Sequence, residues 1–229
     1  MIQNKKVTVC LPCRNEGSHL KDVVARIPKT VDEIIIISNN STDDTVKIAK
    51  HLGVKVIEDS RTVEGIGYGF AHMSGIENSS GDIIVGADGD ATYPLEDLET
   101  IVTYLIKNDL DFISCNRYPL QENTHHISLK LRLGVWLLNK EVQLLYGYKI
   151  KDVLSGMWVF KKSVAKKLNL TMGEWNLSPQ IKLNAIQNPD IKFSEYSIAQ
   201  HQRMGTTHQQ HFKTGFSHLV WIFKNRFTK

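Results

Sequence analysis

At 229 residues, 41% hydrophobic and 23% charged, the chain has room for one large domain, or a domain with a small appendage, around a substantial core. A net charge of +4 tolerates an anionic membrane or a nucleotide without demanding either, and no nucleic acid partner is expected. No apolar run approaches the roughly 20 residues of a membrane span, no leader is expected ahead of the first strand, and three cysteines are too few for a disulfide framework, which points to a reducing, cytoplasmic compartment.

Strand and helix signals alternate over the first 115 residues. Val7-Thr8-Val9-Cys10-Leu11 reads as a buried strand and residues 15–27 as a helix. Cys10 and Cys13 form a CxxC, read as two packing residues rather than a redox pair. Glu33-Ile34-Ile35-Ile36-Ile37 is the clearest buried strand, being short, β-branched and continuous. A helix over 41–52 opens on Ser, Thr and Asp caps, followed by a strand at 54–57. A Gly-rich turn at 65 runs into a helix ending at 78. A strand at 82–87, a helix at 95–107 and a strand at 111–115 follow. Such alternation implies βαβ units and a mostly parallel sheet.

After Arg117 the pattern changes. Residues 128–146 form a long amphipathic stretch that includes Trp136, and helices are expected at 161–168 and 177–186. Residues 191–198 return to strand alternation, and 200–210 are polar and loop-like. Phe212, Phe216, Leu219, Val220, Phe223 and Phe227 then share one face of a last helix flanked by Lys213, Lys224, Arg226 and Lys229. This divides the chain into a main domain over 1–210 and an amphipathic helix over 211–229. Both amphipathic helices suit either a membrane interface or the domain's own core.

Asp88-Gly89-Asp90 carries the most chemistry. Two carboxylates two residues apart, at the carboxyl end of a buried strand, suit a hard divalent cation shared with substrate phosphates. A polar turn capping the next helix has the same appearance.

Taken together, the ordered motifs resemble family 2 glycosyltransferases, and among them the dolichyl- or polyprenyl-phosphate mannosyl- and glucosyltransferases. The resemblance runs through Leu11-Pro12-Cys13-Arg14-Asn15-Glu16 and Ser38-Asn39-Asn40-Ser41-Thr42-Asp43-Asp44-Thr45. It continues through Gly67-Tyr68-Gly69-Phe70-Ala71, Asp88-Gly89-Asp90-Ala91-Thr92-Tyr93-Pro94 and Asn116-Arg117-Tyr118. Arg132 with Asn139, Asp152-Val153-Leu154-Ser155-Gly156, Glu195, Arg203 and Gly205 complete it.

The resemblance implies a glycosyltransferase-A-type α/β domain: a doubly wound, mostly parallel sheet flanked by helices. It implies inverting, metal-dependent transfer of a hexose from a GDP-mannose or UDP-glucose type donor to a polyprenyl or dolichyl phosphate at a membrane surface. Pro12, Asn15, Glu16 and Asn39 would meet the base and ribose, and Gly67 would allow close backbone approach. Asp88 and Asp90 would hold Mg²⁺ or Mn²⁺, with Asp90 the principal ligand. Asp152 would face sugar and acceptor, as base or as orienting group. Arg117 and Arg132 would face the acceptor phosphate, and Arg203 would close over the diphosphate. Two departures stand out: Ser38-Asn39 replaces a pair of acids, and Gly156-Met157-Trp158 stands where G-F-R is usual. A glycosyltransferase acting on a soluble hydroxyl, or a non-catalytic nucleotide-sugar-binding module, would leave similar motifs.

Overall fold

The computed structural model describes residues 1–228 apart from 64, 123, 125, 126 and 206–208. Among the described residues the strands are β1 (Val7–Cys13), β2 (Glu33–Ser38), β3 (Lys55–Glu58), β4 (Ile83–Gly86), β5 (Phe112–Asn116), β6 (Trp158–Lys161) and β7 (Phe193–Ser197). The helices are α1 (Gly17–Ala25), α2 (Thr45–His51), α3 (Tyr68–Asn78), α4 (Leu98–Lys107), α5 (Leu129–Tyr146), α6 (Leu177–Gln187) and α7 (His211–Phe227). Residues Lys162–Leu168, expected to be α-helical, form a 3-10 helix.

One sheet runs in the order β3-β2-β1-β4-β6-β5-β7. β1, β2, β3 and β4 are parallel; the apolar runs of β1, β2 and β4 are buried on both faces, whereas β3, at the sheet edge, is only half-buried. The chain runs outward from β1 through β2 to β3, then crosses back to β4 on the other side of β1, so the strand order reverses there and a crevice opens at the carboxyl ends. β6 pairs antiparallel with both β4 and β5. The sequence pattern does not announce it. Four residues without alternation give too short a signal, and the strand is defined by the slot that β4 and β5 leave.

Leu20, Val23, Ala49, Leu98 and Ile101 pack on one face of the sheet, from α1, α2 and α4. Ala71, Ile76, Leu177 and Ile181 pack on the other, from α3 and α6. Cys10 belongs to the second layer and Cys13 to the first, because residues three apart on a strand point to opposite faces. Both are buried free thiols, so the CxxC is a packing feature.

Outside α6, a third cluster joins Leu138 and Val142 of α5, Leu183 of α6 and Ile222 of α7. α7 sits on it by a narrow line, Thr214, His218 and Ile222, fixed by Tyr146 Oη donating to the Ile222 carbonyl (2.9 Å) and Arg226 Nε to the Leu145 carbonyl (2.7 Å). The aromatic stripe faces outward instead: Phe212 is 87% exposed, Phe216 69% and Phe227 66%. On α5, Leu129, Leu133, Trp136, Leu137 and Leu144 are exposed as well. Each of the two amphipathic helices therefore buries one line of side chains and turns a second set, of large apolar ones, outward. No helix among the described residues is long and apolar enough to cross a membrane.

Candidate active site

A cleft opens at the carboxyl ends of β1, β2 and β4. Pro12, Glu16, Asn39, Asp88, Asp90 and Arg203, all expected to contact substrate, line it together. Tyr68 and Trp175 also line it, stacked on each other with ring centroids 4.5 Å apart.

The acidic turn follows β4. Gly89 lets it pass over β1: its amide donates to the Pro12 carbonyl (3.3 Å), and a Cβ there would come within 2.4 Å of Cys13 Sγ. Asp88 and Asp90 thereby flank a point where only glycine fits. Asp88 Oδ1 accepts from Tyr68 Oη (2.9 Å). Asp90 is nearly inaccessible; its Oδ1 accepts from the Thr92 amide (3.0 Å) and the Thr92 hydroxyl, and its Oδ2 lies 2.8 Å from Arg203 Nη1.

Burial, and then the charge of Asp90, pushes the Asp88 carboxyl above the ordinary carboxylate range. The same causes raise Glu16 to about 8, and His19 Nε2 lies 2.6 Å from Glu16 Oε2. Three acids thus crowd one cleft, with strong electrostatic demand for a cation.

Asn39 is buried and donates through Nδ2 to the Asp59 carbonyl (3.3 Å). Its Oδ1 has no hydrogen-bond partner among the described residues, although an unpaired buried acceptor is costly. A base N–H would satisfy it. Both uracil and guanine carry one, so the amide suits either. Gly67 lies beside Asn39 at the start of α3 with φ +76°, a conformation that favours glycine; its amide donates to Glu174 (3.0 Å). It shapes the cleft without lining it.

Four expectations need correction. Asn15 does not line the cleft: its Oδ1 accepts from the Thr42 amide (2.7 Å), and the residue holds the loop before α2. Arg132 is exposed on α5, outside the cleft lining. Arg61, just outside the cleft, pairs with Asp59 (Nη2 to Oδ2 2.7 Å) and lies over the Phe70 ring.

Asp152 is fully buried, and it too is absent from the lining. Its Oδ2 accepts from Arg117 Nε (2.6 Å) and its Oδ1 from Arg117 Nη2 (2.9 Å). Burial alone would raise its pKa, but the charge and hydrogen bonds of Arg117, with the charge of Lys182, hold it below the usual value. A carboxylate so paired is a poor base, and the arginine so paired is not a free phosphate ligand. Asp152 and Arg117 form a buried ion pair.

Lys182 of α6 escaped the sequence reading. Fully buried, it donates to the Val153 carbonyl (2.8 Å) and to the Ser155 carbonyl, fastening the loop that carries Asp152. That loop places Gly156 against Asp88 and under Tyr93, whose Oη accepts from the Gly156 amide (2.6 Å). Trp175 was also missed, since no spacing marks it; Tyr68 was visible inside the Gly67–Gly69 run. Of the histidines in the polar 200–210 stretch, His201 Nε2 lies 2.8 Å from Glu96 Oε1, and His208 lies outside the described residues.

Comparison with known proteins bears on the family and the fold. Residues 8–168 match the family model described as glycosyl transferase family 2. The low-salt glycan biosynthesis hexosyltransferase of Haloferax volcanii is 25% identical over 234 residues, covering 96% of this chain and 53% of that protein. The UDP-N-acetylglucosamine–dolichyl-phosphate N-acetylglucosaminyltransferase of Methanococcus voltae is 26% identical over 185 residues, covering 72% of this chain and 73% of that protein. The chain spans about half the length of several curated relatives it matches. Glucosyl-3-phosphoglycerate synthase from Mycobacterium tuberculosis, crystallised with Mn²⁺, UDP and phosphoglyceric acid, shares the fold with a TM-score of 0.74 at 16% identity, over 97% of this chain and 78% of that one.

Proposed function

The chain belongs to glycosyl transferase family 2, and from that premise we propose that it transfers a hexose from a nucleotide-sugar to a polyprenyl phosphate. The observation that carries the donor half is the convergence of Asn39, Glu16, Asp88, Asp90 and Arg203 in one cleft at the carboxyl ends of β1, β2 and β4. Asn39 would read the base edge through its unpaired Oδ1, Glu16 would accept from ribose hydroxyls or base N–H groups, and the Tyr68–Trp175 stack would form an aromatic wall.

Asp88 and Asp90 would hold Mg²⁺ or Mn²⁺. Their mutual repulsion and oxygen-only chemistry fit a hard cation. Among the described residues no group of three or more His, Cys, Asp or Glu converges on one point, so the remaining ligands fall to diphosphate and water. When bound, the ion supplies charge neutralisation of the leaving diphosphate.

In the transfer an acceptor phosphate oxygen forms a bond to the anomeric carbon, and the bond to the donor's diphosphate breaks on the opposite side. The electron pair leaves with the nucleoside diphosphate, and the configuration inverts. A phosphate monoester, with its second pKa near 6, is already ionised and needs no strong base. That requirement agrees with the engagement of Asp152 by Arg117, which leaves no free carboxylate there to act as a base.

The outward apolar faces of α5 and α7 support the lipid half of the reading. α7 contains no acidic residue, and Lys213, Lys224 and Arg226 flank its aromatic stripe. Such a surface suits peripheral attachment to an anionic, cytoplasmic membrane face, with the domain over 1–210 held above it. The phosphoglyceric acid complex of the Mycobacterium tuberculosis structure favours a second reading, a soluble acceptor.

Vesicle binding separates the two. With phosphatidylglycerol vesicles the chain is expected to co-sediment, and Trp136→Ser with Phe216→Ser to weaken binding at least ~10-fold, since each aromatic removed contributes about 2 kcal/mol of burial. Nucleotide affinity should stay unchanged, as both rings are more than half exposed. A wild-type chain that ignores vesicles would favour the soluble acceptor.

A further inference from the structure

Asp90, the carboxylate best placed to hold a cation, is already engaged. Its Oδ1 is held by Thr92, and its Oδ2 faces Arg203 Nη1 at 2.8 Å. The arginine does not reach it from a free tail. The segment 201–205 is seated on the acidic turn by the His201 amide donating to the Thr92 carbonyl (2.9 Å) and the Met204 amide to the Asp90 carbonyl (2.9 Å). Gly205 closes the seat against Glu16 and His19, where a Cβ would come within 3.1 Å of Glu16 Oε2 and 2.9 Å of His19 Cε1. The guanidinium is thus delivered to Asp90 by anchored backbone at little entropic cost, while 36% of the side chain remains exposed along the cleft.

We propose that Arg203 is a specificity-determining residue: it guards Asp90 against free divalent cations and yields it to a cation that arrives with a diphosphate. This rests on the reading of the cleft as a metal–diphosphate site.

A lone cation must break the Arg203–Asp90 pair and leave the guanidinium without that partner. A nucleoside diphosphate changes the balance, because phosphate oxygens suit the arginine fork and can accept from it as Asp90 releases it. The exchange then conserves ion pairs: carboxylate to metal, guanidinium to phosphate. Metal and diphosphate consequently tighten each other by one and the same factor. The two-carboxylate donor set points the same way, since it offers too few protein ligands to hold a cation alone.

Mn²⁺ binding by the full chain, followed by electron paramagnetic resonance with the metal alone and then with UDP or GDP, tests this. Arg203→Gln is expected to bind Mn²⁺ alone about ten-fold more tightly than wild type, and Arg203→Lys, which keeps the charge, to stay near wild type. UDP or GDP should tighten Mn²⁺ binding by about ten-fold in wild type and by clearly less in Arg203→Gln. If the Gln variant melts below the assay temperature, Arg203→Met takes its place. Equal or weaker Mn²⁺ binding by the variant, with nucleotide still recruiting metal, overturns the guarding role and leaves the site reading intact. Failure of every protein to bind Mn²⁺ with any nucleotide overturns both.

Discussion

Asp90→Ala is expected to reduce hexosyl transfer by about a thousand-fold or more, the upper end of what loss of one preorganised electrostatic group costs. Stability should change little. Asp90 shares its cleft with Asp88 and Glu16, whose carboxyls burial and the Asp90 charge together push upward. Removing the middle charge relieves that repulsion. The bonds lost are those from Thr92 and a partly exposed ion pair to Arg203, the latter worth at most ~1 kcal/mol. Activity and stability therefore part company, which distinguishes a functional acid from a structural one. Asp90→Asn, which keeps an oxygen for Thr92, serves as the control. Transfer rate and urea midpoint measured on the same samples check the claim; full activity in Asp90→Ala would remove the metal role.

Asp152→Asn is expected to do the reverse, destabilising the fold by about 3 kcal/mol or more. Asp152 is fully buried beside Arg117, which both its oxygens engage, and near Lys182, whose pKa burial pushes down to about 7 and the Asp152 charge holds up. Asparagine keeps the shape but removes the charge, and it sets an amide N–H against guanidinium donors. Arg117 would then lack its counter-ion, while Lys182, whose pKa burial pushes down to about 7, would lose the charge that holds its proton. Pairing the change with Arg117→Met should recover part of the loss, because the two residues form one interacting unit. Urea unfolding of wild type, both single variants and the double variant measures this coupling. A loss under ~1 kcal/mol, with transfer abolished, would return Asp152 to the role of a base acting on the acceptor.

The sequence revealed those parts of the site that depend on backbone position. Asp88 and Asp90, Pro12 and Glu16, and Asn39 stand just beyond runs of buried β-branched residues. Parallel strands bring such strand ends together in any α/β sheet. Side-chain direction was not legible in the same way. Arg117 and Asp152 are 35 residues apart, and nothing in either segment says that they satisfy each other rather than a substrate. Asn15, with φ +58°, turns its amide toward Thr42. β6 was missed because an antiparallel insertion is fixed by its neighbours. The buried lysine beside it was missed for a related reason: Lys182 sits mid-helix in α6, with its Nζ 5.9 Å from the Trp158 ring at the position where G-F-R places an arginine. The periodicity of α7 was clear, but periodicity alone does not distinguish a helix that buries its apolar stripe from one that turns it outward.

The most direct measurement is product analysis after incubating the full chain with Mn²⁺, vesicles carrying polyprenyl phosphate, and UDP- or GDP-hexoses. The proposed chemistry predicts one nucleoside diphosphate released per lipid-linked hexose, with inverted anomeric configuration and no product when the metal is chelated. Nucleotide-sugar left intact across both donor classes, or hexose found only on soluble acceptors, would contradict it.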